Sequence, residues 1–196
     1  MKKEHVVLML CTIVIAIPLV QSAFEGPNEV KEWFEELPVK KQKVTRLHFY
    51  LHDVFSGPTQ SAYPVFTSNI TSTSISNFGL GVIFDDLLTV EPDIGSMTIG
   101  RGQGLATSAA FEETRFLQVI NFVFTQGKLN GSTLQVLGTN PLHNQVRELS
   151  IVGGTGFFRL ARGTATLSNY TTSSSIRQYD ILVLHYESKR CQNCYI

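Results

Sequence analysis

The sequence predicts an all-β domain, a closed antiparallel barrel preceded by one short helix. Three observations lead there. From Lys43 onward, short apolar runs alternate with turn residues, and no second helical pattern of convincing length follows. Several runs, KVTRLHFYLHDVF and TRFLQVINFVFTQG among them, exceed the five or six residues usual in a strand. Glycines stand inside or beside such runs, where they supply the bends that closing a small sheet requires. Strands with one apolar face each must stack as a sandwich or close as a barrel to lose their edges, and long strands favour closure.

The elements follow in order. Residues 1–22 carry a basic start, MKKEH, an apolar run of 15 residues, VVLMLCTIVIAIPLV, and a small-residue exit, which together make a secretory signal peptide. Cleavage is expected after Ser22, or one residue later after Ala23. An uncleaved anchor is the alternative, and it needs roughly 20 apolar residues. Residues 23–42 form an N-terminal segment with the helical pattern GPNEVKEWFEEL, in which Val30, Trp33, Phe34 and Leu37 recur at helical spacing behind an Asn28 cap and stop at Pro38. Strands are expected at 43–55, 63–70, 79–88, 96–110, 115–126, 131–138, 146–152, 157–167 and 177–186, eight or nine in all. Residues 43–186 are thus one barrel domain and 187–196 a tail, with no linker and no internal repeat.

Composition removes several function classes. Taking Lys2 and Lys3 from 16 basic residues and Glu4 from 16 acidic ones leaves 14 against 15, so nothing electrostatic recruits nucleic acid. No segment after the leader is long and apolar enough to span a bilayer. Cys11 leaves with the leader, and Cys191 and Cys194 remain in the tail RCQNCYI. Without a strand-to-helix junction or a second ligand pair, they read as a local disulfide or a crosslink to another chain rather than a redox or zinc site. Secretion gives meaning to three glycosylation sequons, at Asn69, Asn130 and Asn169, each in or beside a polar loop stretch.

In LHFYLHDVF, Asp53 shares the parity of Leu47, Phe49, Leu51 and Phe55. A carboxylate on an apolar face is either desolvated, with a raised pKa useful for proton transfer, or placed at a strand end and bonded to backbone in the turn ahead; both readings stand. His48 and His52, four residues apart, would lie about 13 Å apart on a strand and cannot share one ion, so no metal site is expected. From Phe158, the residues Phe158, Leu160 and Arg162 fall on one face, and Phe157, Arg159 and Ala161 on the other. Arg162 is therefore a candidate interior cation able to pair with Asp53 or hold a substrate oxygen, or to close a barrel end by a buried ion pair, while Arg159 faces out. Asp85 and Asp86 alternate, so only one looks inward, which does not suit twin-carboxylate hydrolysis. Neither GGTG nor GRGQG fits a nucleotide-binding loop, and no Ser-His-Asp or Cys-His arrangement is legible.

The stretches FYLHDVFSGP, GVIFDDLLT, GRGQGL, INFVFTQGKLNGSTLQVLGTNP and VRELSIVGGTGFFRLARGTATL, followed by DILVLHY, occur in order across the barrel domain. In these the chain resembles the plant dirigent proteins. The resemblance implies an eight-stranded antiparallel β-barrel of the allene oxide cyclase-like kind, a homotrimer, secretion to the apoplast, a pocket at one barrel mouth and no cofactor. It implies phenolic ligands and an external laccase or peroxidase: the oxidase makes monolignol radicals, and the dirigent protein fixes the face on which two coniferyl alcohol radicals couple in lignan and phenylpropanoid biosynthesis. Some relatives instead cyclise an isoflavanol to a pterocarpan through a quinone methide, with loss of water. A non-catalytic phenolic-binding scaffold of the cell wall is a third reading.

The family's inner acid maps to Asp53 in HDV and its inner cation to Arg162 in ARG. The implied roles are a proton shuttle at Asp53 and a positioning cation at Arg162, with Phe49, Phe158 and Asp86 as substrate-contacting residues. Three features depart from the lignan-forming members: GRGQGLATSA lacks their tyrosine, GGTGFFR lacks an acidic residue after the glycines, and both remaining cysteines lie in the tail. These lean toward the larger dirigent-like group.

Overall fold

The computed structural model describes residues 26–170 and 175–187. The leader, Cys191, Cys194 and Thr171 of the third sequon lie outside the described residues. Helix α1, Pro27–Glu35, starts on a proline whose fixed φ suits the first helical position, and the Glu29 carboxylate accepts the Gly26 N–H at 3.1 Å. Gly26 is thus the cap, and Asn28 lies inside the helix. Only Trp33 is buried in α1, and Phe34 stays exposed, so the buried stripe is narrower than the spacing suggested. Pro38 sits within a short 3-10 turn, Leu37–Val39, that leads into the first strand. No helix among the described residues is long and apolar enough to cross a membrane.

Nine strands follow: β1 Gln42–His52, β2 Ala62–Phe66, β3 Gly81–Thr89, β4 Thr98–Ser108, β5 Arg115–Phe124, β6 Thr133–Pro141, β7 Val146–Thr155, β8 Arg162–Asn169 and β9 Ile176–Tyr186. All pairings are antiparallel, in the order β1-β9-β8-β7-β6-β5-β4-β3, and β3 returns to β1 through Tyr50 opposite Thr89, Leu51 opposite Leu88 and His52 opposite Leu87. Eight strands therefore close the ring. The short β2 pairs with the other half of β3, Ala62 opposite Phe84, so that after an excursion over residues 53–61 it continues the line of β1.

Period-two alternation fills the barrel with large apolar side chains. Across its middle Phe49 stacks on Tyr179 at 5.7 Å and meets Phe122 edge-on at 5.0 Å, making an aromatic layer that divides the interior in two. Strand β4 offers glycine where its neighbours are bulky: a Cβ on Gly102 would lie 2.8 Å from Leu51 Cδ1. The run GRGQG thus makes room for the side chains of β1, β3 and β5.

One end of the barrel is plugged. The 3-10 turn Gly156–Phe158 drives Phe158 inside, where it is fully buried against Phe124 and His185, with ring centroids 5.7 and 5.5 Å away. Here the strand expected at 157–167 is corrected: β8 begins only at Arg162. Gly156 (φ 60°) and Leu160 (φ 58°) both adopt left-handed backbone, so strand alternation does not run from Phe158 to Arg162. Arg162 consequently faces solvent, opposite Leu184 in the register, and is not an interior cation. Arg159, expected to face out, is partly buried with its guanidinium 4.9 Å from the centre of the Trp33 ring. That contact and the Trp33–Tyr186 edge contact at 6.2 Å fasten α1 to the plugged end.

Candidate active site at the barrel mouth

At the other end the barrel holds a chamber in which a few polar and charged groups are set in apolar wall. Asp53 is the first residue past β1; its N–H donates to the Ser175 carbonyl at 2.7 Å, and its Oδ2 accepts from Arg177 Nη2 at 3.3 Å. Asp53 thus sits at a strand end with its carboxylate enclosed, 16% of the side chain exposed, and paired with Arg177 rather than bonded to backbone in the turn ahead. Asp86 points inward from β3 and is 1% exposed, and Ser61 Oγ donates to its Oδ1 at 2.6 Å. Ser61 is itself positioned because its Oγ accepts the Val54 N–H at 3.1 Å, which closes the base of the 53–61 excursion. Asp85 faces outward and takes the Arg101 Nε–H at 2.6 Å.

Arg177 and Tyr179 enter from β9, with Tyr179 deeper, on the aromatic layer. The cavity measures about 600 Å³ with its opening, and Phe55, Val82, Phe84, Phe116 and Leu142 supply apolar wall. Across it from Asp53 stand Gln118 on β5 and Asn140 on β6, joined by an Asn140 Nδ2 to Gln118 Oε1 hydrogen bond of 3.1 Å. Arg147, buried on β7, donates through Nη2 to Asn169 Oδ1 at 2.9 Å.

Burial sets the electrostatics. It raises the Asp53 carboxyl to about 6 against the opposing pull of the Arg177 guanidinium. Asp86 is raised to about 7, first by burial and then by the negative charge of Asp53, with the Ser61 hydrogen bond and Arg177 acting the other way. Burial pushes the Tyr179 phenol up and the Arg147 guanidinium down, the latter assisted by the charge of Arg177. Both carboxyls are therefore lifted from the ordinary carboxylate range toward neutrality, and Asp86, which feels the charge of Asp53, is raised the further.

Of the residues singled out in the sequence, Asp53 and Asp86 come together here. Phe49 lies in the aromatic layer beneath the chamber with no exposed surface, Phe158 plugs the far end, and Arg162 is outside the barrel. His185 beside Phe158 and Arg177 beside Asp53 are eight residues apart on β9, about 26 Å at roughly 3.3 Å per residue, so Phe158 cannot touch a ligand held by Asp53. Arg177 holds the cationic position that sequence reasoning assigned to Arg162. The available signal was the alternation Arg177, Tyr179, Ile181, Val183 on the inward face of β9.

The two histidines do not meet: His48 Nδ1 pairs with Asp180 at 2.7 Å on the outer wall, and His52 bonds Thr89 Oγ1 at 2.7 Å. Among the described residues no group of three or more His, Cys, Asp or Glu side chains converges as a metal site would. Asn69 and Asn130 are exposed, and Asn169, also exposed, gives its Oδ1 to Arg147.

Residues 44–184 match the family model described as dirigent-like protein. Dirigent protein 1 of Arabidopsis thaliana is 43% identical over 148 residues, covering 74% of this chain and 81% of that protein. Pterocarpan synthase 1 of Glycyrrhiza echinata is 43% identical over 155 residues, covering 76% of this chain and 82% of that protein. A solved structure of a pterocarpan synthase dirigent protein superposes with a TM-score of 0.68 at 42% identity, covering 74% of this chain and 90% of its own. An eight-stranded antiparallel barrel, an acid pair at its mouth and a family match over nearly the whole ring lead to one conclusion: the chain belongs to the dirigent-like protein family.

Proposed function

We propose that the barrel mouth binds a phenolic molecule and directs the stereochemistry of bond formation on it by acid-base chemistry, acting as a dehydrating cyclase through a quinone methide. One observation carries this reading: two enclosed carboxyls with raised pKa values, flanked by the Arg177 guanidinium, face a cavity whose remaining wall is mostly aromatic and aliphatic. The likeness to proteins named pterocarpan synthases supports the same class of step.

The proton balance closes. Asp86 in its acid form gives its proton to a benzylic hydroxyl, which departs as water as the C–O bond breaks, while Asp53 takes the proton of the conjugated phenol. The quinone methide so formed is attacked at the benzylic carbon by an internal hydroxyl. Its proton passes to Asp86, and Asp53 returns one to the quinone methide oxygen. Both carboxyls end as they began, and no electron is gained or lost. Arg177 favours the ionised form of Asp53, and the walls hold one face of the benzylic carbon toward the internal hydroxyl.

A second reading, coupling of two monolignol radicals supplied by an external oxidase, is favoured by the likeness to proteins named dirigent proteins. Under either reading the protein is secreted, carries N-glycans at one or more of Asn69, Asn130 and Asn169, and assembles as a trimer. Purified protein would be incubated with a hydroxyisoflavanol alone, and separately with coniferyl alcohol with and without laccase, the products being resolved on a chiral column. Cyclised product without laccase supports the cyclase. A shift in product handedness seen only with laccase supports radical coupling, and a racemate in every arm rejects both.

A further inference from the structure

We infer that the Asn140–Gln118 amide pair is a neutral hydroxyl-recognition subsite, which makes the preferred ligand a phenol bearing a second hydroxyl at its opposite end. The inference rests on the phenolic reading above and adds the chemistry of the second end. In the ring of eight strands β6 stands diametrically opposite β1, so Asn140 faces Asp53 across the cavity, with Gln118 beside it on β5. Asn140 is 1% exposed, yet its Oδ1 has no hydrogen-bond partner among the described residues. A buried amide oxygen left unpaired is costly, so such a group in a cavity wall marks a place for a donor from outside the chain.

The complement offered is specific. The Asn140 Nδ2 to Gln118 Oε1 bond uses one amide hydrogen and one acceptor, leaving Asn140 Oδ1 as acceptor beside the remaining amide hydrogens of Asn140 Nδ2 and Gln118 Nε2. Turning both amides over again leaves an amide oxygen beside amide hydrogens. A hydroxyl, which donates one hydrogen bond and accepts another, satisfies both. An anion cannot donate to the oxygen, and a methyl ether can only accept. The far wall is thus uncharged and reads hydroxyl, while the near wall carries Asp53, Asp86 and Arg177 and handles the proton that moves.

The test is fluorescence titration of the full secreted protein with 4,4′-dihydroxystilbene and with 4-hydroxystilbene, rod-like probes differing only in the second hydroxyl. The protein is expected to bind the diphenol roughly tenfold or more tightly. Asn140→Leu and Gln118→Met are each expected to bring that ratio to about one. Gln118 is only partly buried, so its variant keeps the test open should Asn140→Leu fail to fold. Equal affinities in the unaltered protein, or a preference that survives both substitutions, would overturn the subsite while leaving the phenolic pocket standing. If neither probe binds, the phenolic reading falls and the subsite with it.

Discussion

Arg177 and Asp53 meet at the barrel mouth, Nη2 to Oδ2 at 3.3 Å, with less than a fifth of either side chain exposed. The contact joins the start of β9 to the end of β1. Removing one partner strands the other in an apolar chamber, where an uncompensated charge is costly. Asp53→Asn is expected to lower product formation by about 10²–10⁴-fold under the acid-base reading, with the fold retained by circular dichroism. Arg177→Gln is expected to raise the Asp53 pKa further and move the acid limb of the pH–rate profile upward. A profile unmoved in Arg177→Gln separates the guanidinium from the proton chemistry.

The raised carboxyls predict a pH optimum. Activity needs Asp53 ionised and Asp86 protonated, so the rate falls as pH drops through about 6 and again as it rises through about 7. The same pair predicts a stability trend of definite sign. Both folded pKa values lie above the ordinary aspartate value of 3.8, so the folded state binds more protons than the unfolded chain between about pH 4 and 7. Stability held below pH 4 by these groups is lost as pH rises through that window. Asp86→Asn keeps the acceptor for Ser61 and cannot ionise. It is expected to raise stability by about 2 kcal/mol at pH 7.5 and by little at pH 4, as urea titrations at the two pH values will show.

Phe158 belongs to the plug and not to the ligand. Phe158→Ala is expected to cost about 3–5 kcal/mol of stability by thermal denaturation, because the barrel end around Phe124 and His185 cannot collapse onto the void. Below its melting temperature the variant is expected to bind phenolics as the parent does.

Arg162 is the converse case. It is exposed and distant from Asp53, so Arg162→Ala is expected to change stability by no more than about 0.5 kcal/mol and to leave product handedness unaltered. A large loss of activity in this variant would return the residue to the site.

The barrel was legible in the sequence because long alternating runs and interspersed glycines constrain a sheet strongly, and Asp53 because alternation along β1 continues unbroken to the chamber. Arg162 was misplaced for a local reason: alternation holds only while the backbone stays extended, and the left-handed positions at Gly156 and Leu160 reset the facing of everything after them. Nothing in FFRLARG announces that a leucine takes positive φ. Arg177 went unnoticed because it opens its expected strand directly after a Ser/Thr-rich tract, and only the pairing of β9 with β1 brings it beside Asp53. The amide pair was beyond reach, since Gln118 and Asn140 gain meaning only when β5 and β6 are side by side.

The cylinder is closed unevenly. Strand β1 touches β3 through three residue pairs, whereas β4 and β5 share nine. Just past that short junction the chain leaves the wall for the excursion that carries Asp53 and Ser61. The seam is therefore where amide exchange should first report local opening, and where a bulky guest could be admitted by transient parting of the wall without disturbing the rest of the ring.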